Sequence, residues 1–349
     1  MREKTGPAVL LAVLAAVCYG AGAPVSTILL KEIPPALMAA LLYLGAGVGM
    51  SAINLLRGAK RGKRLEAHIT KKELPYVACM VALDIAAPIA LMFGLTMTTP
   101  ANASLLNNFE IAATSVVALF VFREAVGRRM WTAIALITLA CGILSFEDIG
   151  GLSFSSGSLL VLAACVCWGF ENNCTRMLSL KDPLQIVVVK GFGSGFGALA
   201  VALALREYSL NFLYIAGALL LGFFSYGLSI FFYILAQREL GAARTSAYYA
   251  AAPFIGVGLS FLLLGQPVTA GFTAALAVML LGTYFAATER HKHTHPHEAT
   301  EHEHSHNHAD GHHNHTHHGF SGAHSHPHVH EALTHEHTHT PDMHHTHPH

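Results

Sequence analysis

Apolar runs separated by short polar segments fill residues 6–287, at 6–30, 34–56, 74–98, 101–122, 130–146, 157–177, 183–205, 212–236, 245–264 and 269–287. Each approaches the roughly 20 helical residues that a bilayer core demands. The pattern predicts ten transmembrane helices in an all-α integral membrane protein. It stops abruptly at residue 290. From there to residue 349 the chain is almost wholly polar, and every histidine except His68 lies in this tail, interleaved with Thr, Glu, Pro and Ser as in EHEHSHNH and HEHTHT. Such a composition cannot build a core, so the tail reads as disordered.

Composition excludes a soluble globular protein: 53% of residues are hydrophobic and 12% charged, and mean hydropathy is +0.45 despite the tail. No catalytic triad or nucleophile elbow is visible, so an enzyme is not expected. GFGSGFG (191–197) lies inside an apolar run with no following Lys-Ser/Thr, which argues against a nucleotide site. No nucleic-acid partner is implied. Cys18, Cys79, Cys141, Cys165, Cys167 and Cys174 all fall within apolar runs, where cysteine acts as a small buried hydrophobe. Cys165 and Cys167 project from different sides of a helix, and no disulfide framework follows.

The chain says the same thing twice. LAAVCYGAGAPVSTILL returns as LAACVCWGFENNCTRML, so Cys18 answers Cys167 and Tyr19 answers Trp168; further on, Ser104 answers Ser246 and Glu124 answers Gln266. Five runs fall in each copy. An odd number of spans turns the second copy over in the membrane, and equivalent loops should then carry opposite Lys and Arg loads. RGAKRGKRLEAHITKK after the second run faces REYSLN after the seventh; FREAVGRR after the fourth faces LGQPVTAG, and the uncharged TTPANAS faces QRELGAAR. With both termini cytoplasmic, every Lys and Arg lies inside except Lys31 and Arg206, which lie outside, and Lys190, within a run. The expected units are residues 1–150, residues 151–290 and the tail, 291–349. A cleaved signal peptide competes for the first residues, but the apolar run extends through Leu30 and its repeat partner is internal.

CYGAGAPVSTILL, EIPPALMAALLYLGAG, CWGFENNCTRMLSLKDPLQIVVVKGFGSG and LLNNFEIAATSVVALFVFREAV, with the two-copy plan, resemble the EamA type of the drug/metabolite transporter superfamily over residues 6–288. The resemblance implies secondary active transport of small metabolites such as amino acids, often export across the bacterial inner membrane, by alternating access. Tyr19 stands where that pattern often has Trp, Gln266 where it often has Glu, and the histidine tail is an addition.

Ionisable residues inside the runs are the best functional pointers, since each costs about 2.5 to 3.5 kcal/mol at a helix centre. Asp84 and Glu110 both sit near the middle of theirs. Burial disfavours the charged form of a carboxylate, which suits proton uptake and release and hence proton coupling; the bland alternative is a hydrogen bond between helices. Glu171 and Lys190 lie at similar depth near the cytoplasmic ends of their runs, so an ion pair is expected, with Lys190 also open as a binder of an anionic or zwitterionic substrate. Asn107, Asn108, Asn172 and Asn173 add amides at similar depths, and Trp168, Tyr248 and Tyr249 offer an aromatic wall. Gly191, Gly195 and Ala198, with GAGVG and GVGLS, predict close helix packing.

Imidazole suits Zn, Ni, Co and Cu, so the tail is a candidate metal binder through His302, His304, His306, His308, His312, His313, His315, His317, His335, His337 and His339. HExxH matches at His302–His306 and His335–His339 follow from low complexity. The leading expectation is a proton-coupled metabolite permease. The alternative is a divalent-metal transporter or a membrane-held metal buffer. Substrate, protons and lipid are the implied partners, no cofactor is required, and a homodimer is left open.

Overall fold

The computed structural model describes residues 5–58, 69–122, 126–148, 153–178, 181–240, 242–288, and the tail stretches 291–297, 300–306, 324–330 and 333–339. The apolar runs are helices, because only a helix satisfies every backbone polar group within one segment away from water. In chain order they are α1 (Thr5–Gly20), α2 (Gly22–Leu29), α3 (Pro35–Gly58), α4 (Leu74–Met97), α5 (Pro100–Leu106), α6 (Phe109–Phe122) and α7 (Arg128–Ser145) in the first copy. The second holds α8 (Ser156–Met177), α9 (Pro183–Ala204), α10 (Phe212–Gly222), α11 (Ser229–Leu240), α12 (Ala242–Tyr249), α13 (Ala252–Leu264) and α14 (Ala270–Ala287).

Among the described residues nine helical stretches are long and apolar enough to cross a membrane. The tenth expected span, α8, is a helix of 22 residues, but Glu171, Asn172, Asn173, Thr175 and Arg176 at its C-terminal end dilute its apolarity. Large apolar side chains such as Phe120, Leu262 and Phe212 point outward, as on a surface that meets lipid.

Several spans are broken. The first run is interrupted at Ala21, between Gly20 and Gly22. The fourth breaks at Asn107 and Asn108, and the ninth at Ala250 and Ala251, nearly equivalent points of the two copies. At the first of these breaks the Asn108 amide donates to the Leu105 carbonyl (3.1 Å), replacing a lost helical bond. At the second, Pro253 enters α13 with no N–H to offer. Between α10 and α11 the chain widens into a π-helical stretch, Phe223–Leu228.

Packing has a two-fold pattern in which α3 lies along α9 and α7 along α14, while α4 on α8 is matched by α11 on α1, and α6 on α8 by α13 on α1. Small residues allow these approaches, since lipid supplies no hydrophobic drive between helices. A Cβ on Gly191 would sit 2.5 Å from Gly47, and one on Gly195 would crowd Leu44. Gly45 and Gly222 admit no side chain because the Leu219 and Leu42 carbonyls fill the space. The Cys79 and Cys174 sulfurs meet across α4 and α8 at 3.0 Å.

Two short strands, Phe146–Asp148 and Ser153–Phe154, pair between the copies. In the tail, where composition predicts disorder, 291–297 pairs antiparallel with 333–339, and 300–306 with 324–330. The tail's histidine side chains, and with them the expected metal ligands, lie outside the described residues.

Candidate functional site

Three helices deliver one ion cluster. Asp84 on α4, Glu171 on α8 and Lys190 on α9 are 0%, 1% and 8% exposed. The Lys190 Nζ lies 2.9 Å from Glu171 Oε1 and 3.2 Å from Asp84 Oδ2. The Tyr43 hydroxyl on α3 donates to Asp84 Oδ1 at 2.8 Å, and the Thr175 hydroxyl donates to Glu171 Oε1. Local sequence explains the placement: Gly191 brings α9 against α3 at the level of Lys190, and Pro88 deprives the Asp84 carbonyl of its helical donor. With all three groups ionised, two carboxylates face one ammonium and a single negative charge is left over.

Spacing sets Glu171 and Lys190 at a common depth, and they do meet. Asp84, which the sequence places nearer the midplane, joins them, because the four-carbon stem of Lys190 spans the difference in depth. Lys190 is thus engaged by two carboxylates rather than free for a substrate anion.

Glu110, in the first turn of α6, is held differently. The Asn172 amide donates to Glu110 Oε1 (2.7 Å) and to the Thr114 hydroxyl (3.2 Å). Among the described residues Glu110 has no ion-pair partner, and its second oxygen accepts no hydrogen bond. Asn173 donates to the Thr114 and Gly169 carbonyls, a purely structural clamp.

A file of tyrosines runs beside these acids. Ring centroids lie 4.9 Å apart for Tyr233 and Tyr249, 5.6 Å for Tyr249 and Tyr19, 6.4 Å for Tyr19 and Tyr226, and 5.2 Å for Tyr226 and Tyr43. Tyr43, Tyr226 and Tyr233 are absent from the sequence-based candidates, because a tyrosine in an apolar run does not reveal which way it faces; their interruption of otherwise aliphatic stretches is the available signal. Tyr248, expected to line the wall, is 40% exposed and outside it; at the end of α12 it is the next residue, Tyr249, that turns inward. Trp168 is 5% exposed and packs in the main apolar core.

The broken helices converge next to the tyrosines. Tyr19, Gly20, Ala23, Ser104, Asn107, Ala252, Pro253 and Gly256 line a cavity of about 10 Å³, room for roughly one water. Among the described residues the buried Ser104 hydroxyl beside it has no hydrogen-bond partner. Asn107 receives a weak Cys165 thiol contact at 3.9 Å, whereas Asn108 also accepts from Thr283 (3.4 Å) and holds the helix break together. Among the described residues no three of His, Cys, Asp and Glu are grouped to hold a metal ion.

Broken apolar helices around buried charges define an integral membrane transporter rather than an enzyme. The chain belongs to the EamA-like transporter family, whose pattern matches it twice, at residues 6–146 and 155–288. An uncharacterized transporter of Methanothermobacter thermautotrophicus is 28% identical, with 78% of this chain and 83% of that protein covered. The uncharacterized transporter YyaM of Bacillus subtilis is 25% identical over 57% of this chain and 68% of its own length. One solved crystal structure shares the fold at a TM-score of 0.56 and 20% identity, covering 80% of this chain and 95% of that one.

Proposed function

We propose that the protein is a proton-coupled secondary transporter that moves a small metabolite, in the export direction, across the cytoplasmic membrane by alternating access between two inverted five-helix copies. The observation that carries this reading is the Asp84–Lys190–Glu171 cluster, which ties α4 of the first copy to α8 and α9 of the second. A proton taken by Asp84 would release Lys190 to Glu171 alone and weaken the bond between the copies. Proton occupancy then biases which packing of the two copies is stable, and a two-state protein needs only that bias to couple a gradient to motion.

The two-fold packing pattern supports inversion, with α8 as the tenth span. Contacts between loops support the topology. Glu207 accepts from the Ala36 and Leu37 amides, and Gln266 from Ala101; all lie in segments that the Lys and Arg distribution places outside. Lys181 pairs with Glu73 (3.4 Å), Gln185 accepts from Ile69, and Arg129 donates to Thr288, all in segments assigned inside. The metal reading rests on the tail histidines alone, and deleting residues 291–349 tests it: a metal transporter loses metal accumulation or resistance, a metabolite permease keeps its flux.

The direct test is reconstitution in proteoliposomes with an imposed pH gradient and a screen of small organic solutes. Gradient-driven flux that disappears in Asp84→Asn is expected. Flux indifferent to both the gradient and that substitution would refute coupling through the cluster.

A further inference from the structure

Helices α4 and α8 run antiparallel along each other and join the first copy to the second at three levels. At one end a Cβ on Gly94 would lie 2.9 Å from the Gly157 carbonyl, so the two backbones touch there. In the middle stands the Asp84–Lys190–Glu171 cluster. At the other end the Cys174 thiol donates to the Cys79 sulfur at 3.0 Å. Cys79 precedes Asp84 by five residues and Cys174 follows Glu171 by three, so the sulfurs sit about one to one and a half turns from the ions. Both cysteines are free thiols. Cys79 is exposed, whereas Cys174 is buried among Met80, Leu178 and Ile186. Proton coupling at the cluster uses neither.

An S–S bond is about 2.05 Å long, so these sulfurs need to close by only about 1 Å. Oxidation of an exposed thiol stops at a disulfide when a second thiol stands close enough to intercept the sulfenic acid. We infer that Cys79 and Cys174 are a redox-sensitive pair, which a hydroperoxide closes into a disulfide that clamps α4 to α8. With hydrogen peroxide, the Cys79 sulfur takes one oxygen as the O–O bond breaks, giving a sulfenic acid and one water. The Cys174 sulfur then forms the S–S bond, and the oxygen leaves as a second water. Two thiols have lost two electrons and two protons, and the peroxide has gained them. This end of the helix pair adjoins Glu73 and Lys181, in segments assigned inside. Thiols on that side are kept reduced, so the bond is transient and thiol exchange reopens it. The clamp's effect rests on the transport reading, in which α4 and α8 loosen when Asp84 takes a proton. Unlike the ion cluster, a disulfide does not respond to protons.

The test uses the full chain purified in detergent, reduced, and then treated with hydrogen peroxide. Peptide mapping should find Cys79 joined to Cys174, and the thiols counted after denaturation should fall from six to four. Cys79→Ser, a mild change at an exposed position, should keep its remaining thiols at the same dose. Amide hydrogen exchange reads the clamp. Closing the bond should slow exchange in α4 and α8 roughly tenfold or more at both acidic and neutral pH, and dithiothreitol should restore it. In the reduced chain, acid should quicken exchange there once the intrinsic rate change is removed. Absence of the Cys79–Cys174 linkage, or pairing of either residue with another cysteine, overturns the inference. A linkage that leaves exchange unchanged overturns the clamp. Exchange that ignores pH in the reduced chain, yet slows when the bond closes, keeps the pair and sinks coupling through the cluster.

Discussion

Asp84 and Glu110 are both carboxylates near the middle of apolar runs in the first copy, yet their surroundings differ in kind. Asp84 is fully enclosed, bonded to Tyr43 and paired with a lysine that also holds Glu171. Glu110 has one amide donor and no counter-ion among the described residues. The same functional group at similar depth is therefore held in two ways: one charge is paired within the fold, the other has no ion-pair partner among the described residues.

The largest effect should come from unbalancing the compensated side. Lys190→Met leaves two carboxylates buried and facing each other, and removing one partner of a buried pair costs about 3 to 5 kcal/mol. Unfolding in a detergent titration should show that loss, and adding Glu171→Gln should recover part of it. Tyr43→Phe removes one bond to a charged acceptor and should cost about 1.5 to 3 kcal/mol in the same assay. Glu110→Gln should cost less than about 1 kcal/mol, because the Asn172 contact can persist and no ion pair is broken. Tyr248→Ala, at an exposed position, should stay within about 0.5 kcal/mol of the native chain. If Glu110→Gln proved as damaging as Lys190→Met, the contrast between the two acids would collapse.

Much of this was legible in the sequence, and the limits have physical causes. A charge inside an apolar run is conspicuous, so Asp84, Glu110, Glu171 and Lys190 stand out at once. Equal distance from a membrane surface anticipates the contact of Glu171 with Lys190. It does not anticipate that Asp84 joins them, since a long side chain and helix tilt decide which groups at neighbouring depths meet. Tyr43 and Tyr226 were hidden because burial of a tyrosine depends on helix rotation. The break at Ala250 and Ala251 was hidden too: two alanines favour helix, and it is Pro253 and the fit against Gly20 that interrupt it there. Conversely, α8 falls short of a span by apolarity for the reason that makes it informative, the polar residues it brings to both sites.

The most direct measurement separates coupling from exchange. In proteoliposomes, solute counterflow at equal pH on both sides requires binding and conformational exchange, whereas uphill accumulation under a pH gradient also requires the coupling proton. Asp84→Asn should keep counterflow and lose accumulation. Accumulation that survives in Asp84→Asn, or counterflow that is lost together with it, would contradict the account.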